Sequence, residues 1–131
     1  MSTNTSIPAI NLAPWLSVSN AKEAIDYFKA AFDATELYLL EDDNGNPHIA
    51  QLSFGGADFW IQDDPDSTPE LVSRGSVRMI VTVKDPDSVF RQAIAAGATE
   101  VVPIGEEHGW RIGRVVDPFG YHWEIGKRLS G

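Results

Sequence analysis

The chain has 131 residues, 43% hydrophobic and 22% charged, with no cysteine; this fits one domain with a real core and excludes disulfides, thiolate metal ligands and a cysteine nucleophile. A formal net charge of −9 sets the surface against nucleic-acid phosphates and anionic lipid. No apolar run nears the roughly 20 residues of a membrane span and the polar start Met1–Ser6 has no signal-peptide pattern, so the expected location is the cytoplasm.

In chain order, the first strand is expected at Leu16-Ser-Val-Ser. Asn20 with Glu23 three residues on forms a capping-box pattern, and Ala24, Ile25, Phe28, Ala31 and Phe32 then trace one face of a helix. Strand-like runs follow at about 35–41, 47–54 and 57–62, the first two joined by the turn Asp43-Asn-Gly-Asn-Pro47. Residues 65–75, with Pro65, Pro69 and Gly75, read as a linker. Beyond it Val81-Thr-Val-Lys opens a second strand, and Asp85-Pro86 caps a second helix with the apolar face Val89, Phe90, Ala93 and Ile94, stopped at Gly97. Three more strands are expected at about 99–104, 110–116 and 121–126, with the turn Asp117-Pro-Phe-Gly120 before the last. The acidic clusters Glu41-Asp-Asp43 and Asp63-Asp64 read as solvated strand ends.

The chain repeats itself. Leu16-Ser-Val-Ser-Asn20 is answered 65 positions on by Val81-Thr-Val-Lys-Asp85, and Gly56-Ala-Asp-Phe-Trp-Ile61 is answered 64 positions on by Gly120-Tyr-His-Trp-Glu-Ile125. Both helices end in Ala-Thr-Glu, at 34–36 and 98–100. Two β-α-β-β-β units result, at about 8–64 and 76–127, which a tandem duplication explains.

The paired unit, the helix phrase Ala24-Ile-Asp-Tyr-Phe-Lys-Ala-Ala-Phe32 and the closing Asp117-Pro-Phe-Gly-Tyr-His-Trp-Glu124 resemble the glyoxalase/bleomycin-resistance (vicinal oxygen chelate) superfamily, in particular its PhnB-like or bleomycin-resistance-like bacterial branch. The resemblance covers roughly residues 8–127. It implies an α+β fold of tandem βαβββ repeats, whose mixed sheets curl around a cavity with helices outside, and it implies a homodimer.

Strand period two assigns the faces. Leu16, Val18, Phe59, Ile61, Val81, Val83, Trp123 and Ile125 should lie under the helices, leaving Ala13, Trp15, Ser17, Asp58, Trp60, Gln62, Arg78, Ile80, Thr82, His122 and Glu124 toward the cavity. Metal-dependent members that the chain resembles draw ligands from four strand positions, which fall here on Ala13, Trp60, Arg78 and Glu124. Only Glu124 can donate to a cation, and Arg78 places a positive charge there, so neither metal nor cofactor is expected.

Other readings of these residues stay open. Arg78 and Glu124 can form an ion pair filling the vacated space, or Arg78 can bind an anionic ligand. His122, on the face of Glu124, is a cavity-wall histidine or part of a relocated metal or acid/base site. Trp15 and Trp60 either stack on a flat ligand or fill the cavity as core. Trp110 and His108, beside Arg111 and Arg114, could form a pocket rim, and His48 reads as surface. No phosphate loop, nucleophile elbow or helical zinc motif is present. The expectation is a non-metallic binding protein for an aromatic or amphipathic small molecule, using Trp15, Trp60, Trp110, Arg78, His122 and Glu124. The alternative is a metal-dependent lyase, isomerase or dioxygenase with relocated ligands; catalytic residues are not assigned. A third is a module whose own side chains fill its cavity.

Overall fold

The computed structural model describes residues 12–75 and 77–129; the polar start and the outermost residues of both expected repeats lie outside them. The first repeat is strand β1 (Trp15–Val18), helix α1 (Ala21–Phe32) and strands β2 (Thr35–Glu41), β3 (Pro47–Phe54) and β4 (Ala57–Asp63). A short helix α2 (Pro69–Ser73) precedes the second repeat, made of β5 (Met79–Thr82), α3 (Pro86–Ala96), β6 (Thr99–Glu107), β7 (Trp110–Val116) and β8 (His122–Arg128). Each repeat is one four-stranded mixed sheet, in the orders β1-β4-β3-β2 and β5-β8-β7-β6. The first strand of each pairs parallel to the last, with Trp15 opposite Trp60 and Ile80 opposite Glu124. This is the α+β architecture expected from the repeat.

The helices start and stop for local reasons. The Asn20 side chain accepts from Glu23 N–H at 3.1 Å, and that of Asp85 from Ser88 N–H at 3.2 Å with Pro86 at the favoured first position. Asp33 ends α1 at φ 57 and Gly97 ends α3 at φ 125, each returning its N–H to the last turn.

Both helices lie between the sheets and share one core. Leu16, Val18, Phe59, Ile61, Val81, Trp123 and Ile125 are buried beneath them, as strand alternation requires. Trp123, from the second sheet, packs against Phe28 and Phe32 of α1 with ring centroids 5.4 and 5.1 Å away, and against Phe54 and Phe59 of the first sheet. Gln92 of α3 donates to Ala30 O of α1 at 2.9 Å. The opposite face of each sheet therefore points away from the core.

Three elements depart from the sequence-based expectation. The linker contains α2, because Pro69 stands at the one helical position where a missing N–H costs nothing, behind the Thr68 cap. Gly105 does not end β6; it pairs with Ile112 within an irregular stretch of ladder, where a glycine is tolerated. The strand runs on to a two-residue turn, His108 (φ 54) and Gly109 (φ 81), the double left-handed geometry suited to a tight hairpin. β8 accordingly continues to Arg128, opposite Trp110.

Candidate functional site

The outward face of the first sheet carries an aromatic wall. Trp15 and Trp60 are register partners, with ring centroids 6.1 Å apart and planes 22° from parallel. Tyr38 meets Trp60 edge-on at 6.0 Å. The sequence assigns no face to β2; a ladder irregularity between Glu36 and Tyr38 sets the side on which Tyr38 stands. Gln62 fixes the wall at its base, its Oε1 accepting from Trp15 Nε1 at 3.1 Å and from Ser17 Oγ at 3.2 Å. Trp15 remains 50% exposed, so its side of the wall is not core.

The outward face of the second sheet is polar. Arg78 Nη1 lies 2.8 Å from Glu124 Oε2, the ion pair that the sequence offered as one reading. Arg114 is the β7 partner of Glu124, and its Nε is buried without a hydrogen bond among the described residues. His122 Nε2 is 3.2 Å from Ser73 Oγ of α2, and its Nδ1 is buried with no partner there. Burial, then the positive charges of Arg114 and Arg78, hold the imidazole below its ordinary pKa, so it is neutral at pH 7. A neutral ring has one nitrogen free to accept a proton or a hydrogen bond. Trp110 shares this face further along β7, with Arg128 over its ring at 5.7 Å. Ser73 was not singled out from the sequence, where nothing local marks it; Arg114, expected beside the Trp110 rim, does share the face of Trp110.

The six residues expected at one site are thus divided. Trp15 and Trp60 stand on the first sheet; Arg78, Trp110, His122 and Glu124 stand on the second. Arg111, expected beside Trp110 at the rim, instead turns to the helix side, where Nε and Nη2 bind the two Asp87 oxygens of α3 at 2.7 and 2.6 Å. His108 lies at the β6–β7 turn, and His48 is exposed. A cavity of about 690 Å³ lies elsewhere, at the free edge of β5, and of the six only Arg78 lines it.

The donor set does not suit a metal at the position that the repeat implies. Ala13 and Trp60 bring no ligand atom, Arg78 is a fixed cation, and Glu124 is already paired with it. Among the described residues no three His, Asp or Glu side chains cluster as a metal would need. None of the described helices is long and apolar enough to cross a membrane.

Comparison with known proteins places the chain among others. No family model matches it. An uncharacterized protein of Mycobacterium bovis is 36% identical over 124 residues, covering 88% of this chain and 82% of that one. The crystal structure of TioX from Micromonospora sp. ML1 superposes with a TM-score of 0.72 at 26% identity, over 91% of this chain and 99% of that one. A glyoxalase/bleomycin resistance protein/dioxygenase family enzyme from Burkholderia phytofirmans PsJN superposes at 0.70, with 19% identity, over 92% and 100%.

Proposed function

We propose that the chain, which has the fold of a glyoxalase/bleomycin resistance protein/dioxygenase family enzyme, belongs to that superfamily and is a metal-independent binding protein for a flat, amphipathic small molecule. The observation that carries this reading is the pairing of an exposed tryptophan stack on one outward face with an Arg78–Glu124 ion pair on the other, at a position where the fold's metal-dependent members place ligands. Trp15, Trp60, Trp110 and Tyr38 supply stacking area; Arg78, Glu124, Arg114 and His122 supply polar and charged anchors.

The two faces do not meet within one chain, so the reading includes a homodimer in which the aromatic face of one protomer closes over the polar face of its partner. Exposed apolar side chains on both faces, Tyr38 and Leu40 on the first and Ile80 and Val102 on the second, support it.

A second reading, a metal-dependent enzyme with moved ligands, draws on the neutral His122 and its neighbour on the same face, Glu124. Metal analysis after incubation with Ni, Zn, Mn or Fe(II) separates the two. Less than a tenth of an equivalent per chain is expected, together with quenching of tryptophan fluorescence by a planar aromatic probe such as anilinonaphthalene sulfonate. Trp60→Ala should weaken that probe about 10- to 100-fold, in keeping with a lost stacking contact. One tightly held metal per chain, or a probe response indifferent to Trp60→Ala, would sink the proposal.

A further inference from the structure

The two repeats are not equally finished at their free strand edges. In a parallel ladder alternate residues bond to the neighbouring strand, and those between turn their N–H and C=O outward. On β1, Pro14 O and Val18 O accept bonds from β4, so Ser17 faces out. Its N–H donates to the Tyr121 hydroxyl at 2.9 Å, and that hydroxyl donates to its carbonyl at 2.9 Å. A phenol carried on the turn before β8 thus bridges both outward groups of Ser17, and Ser67 Oγ adds a second bond to the carbonyl at 3.1 Å.

The internal repeat maps Ser17 onto Thr82 and Tyr121 onto Ala57. On β5, Val83 N–H bonds to Gly126 O, so Thr82 faces out as Ser17 does. Among the described residues nothing bonds to its outward N–H or C=O. Ala57 has no ring to offer. Where the counterpart of Tyr121 would stand is the cavity of about 690 Å³, lined by both Ala57 and Thr82. Phe54, Phe59 and Trp123 form its aromatic wall, and Asp58 and Arg78 its polar margin.

We propose that this cavity binds a phenolic small molecule, its ring against Phe54, Phe59 and Trp123 and its hydroxyl bridging the N–H and C=O of Thr82 as Tyr121 bridges Ser17. The volume falls within the range of about 300–1,000 Å³ common for small-molecule sites. Neither Trp15 nor Trp60 lines it, whereas Arg78, Ile80 and Thr82 do, so the cavity adjoins the polar face at the β5 edge, and a ligand held there is told from one on the tryptophan wall by its effect on the Thr82 amide.

The test titrates the ¹⁵N-labelled full chain with p-cresol, the tyrosine side chain as a free molecule, and with toluene, which lacks the hydroxyl. Cresol is expected to shift the Thr82 amide and to bind at least about tenfold more tightly than toluene, the worth of one good hydrogen-bonding group. Ala57→Tyr, which restores the repeat, should abolish the cresol response and raise Tm by several degrees. Thr82→Pro, tolerated where the N–H faces a free edge, should weaken cresol about tenfold and leave toluene unchanged. Equal affinities for the two probes, or shifts confined to Trp15 and Trp60, would overturn the proposal. So would a silent Thr82 amide already protected from exchange in the free protein, for the cavity would then be filled by the chain itself or by a second copy.

Discussion

Asp117 is the residue on which the last turn depends. Its side chain is 3% exposed, yet Oδ1 accepts from the N–H groups of Phe119 and Tyr121, both at 2.9 Å, and Oδ2 accepts from Trp123 Nε1 at 2.8 Å. Burial outweighs these donors and pushes its pKa up to about 6. The folded state therefore holds this proton more tightly than the unfolded chain, whose carboxyl titrates near 4. The sign follows: Asp117 opposes folding once ionised, so its contribution to stability falls as pH rises from about 4 to about 6 and then levels off. The span is worth about 3 kcal/mol. Denaturant titrations of the wild type and Asp117→Asn between pH 4 and 7 should differ by this slope, and parallel curves would refute it. Asp117→Ala strands three donors and should cost about 3 kcal/mol or more at pH 7. The sequence announced the turn through Pro118 and Gly120, but not the buried carboxylate within it, because Asp is common in exposed turns and its burial depends on Trp123 and on a helix from the other repeat.

Within β7, Gly113 leaves no room for a side chain. A Cβ built on Gly113 would stand 2.9 Å from the Phe90 ring and 3.0 Å from the backbone of Val102 and Ile104, on the side where α3 sits against the sheet. Gly113→Ala should cost about 1–3 kcal/mol through overpacking, read as a drop in Tm; an unchanged Tm would mean that α3 lifts freely from β7. The order of elements was legible because each repeat carries its own caps, helical stripe and alternating strands, so two independent passages told the same story. Leu16, Val18, Trp123 and Ile125 fell on the helix side by parity alone. Parity alone does not assign β2 or β6, where the ladder slips near Tyr38 and around Gly105, since a bulge follows from pairing with the neighbouring strand and leaves no mark in the residues themselves. It also could not say that Trp15 and Glu124 belong to separate open faces, which is a matter of how the two repeats dock.

For the whole molecule, an outward face with exposed Trp15, Tyr38 and Leu40 and a polar one with exposed Ile80 and Val102 sit on a chain of net charge −9. The proposed homodimer must overcome repulsion between two acidic bodies, so its affinity should rise with salt as screening shortens to about 8 Å at physiological ionic strength. Sedimentation velocity at micromolar protein is expected to give a dimer, with more of it at 0.5 M NaCl than at 0.05 M. A monomer at every salt concentration, with both faces still solvent-exposed by hydrogen exchange, would remove the basis for a site closed between two chains.

The hydroxyl that takes the outward N–H of Ser17 at the edge of β1 belongs to a residue 104 positions downstream, whereas Ser67 Oγ, 50 positions on, reaches only the carbonyl. On the ribosome the first repeat therefore emerges with that edge open. At synthesis rates of roughly 5–20 residues per second, the wait for Tyr121 is on the order of 5–20 s. Throughout that interval β1 presents an unpaired hydrogen-bonding margin to neighbouring nascent chains, the hazard that completed sheets are built to avoid. A message truncated before codon 121 should thus yield a product that aggregates even though its first βαβββ unit is whole, and slow decoding late in the chain should burden chaperones more than slow decoding early.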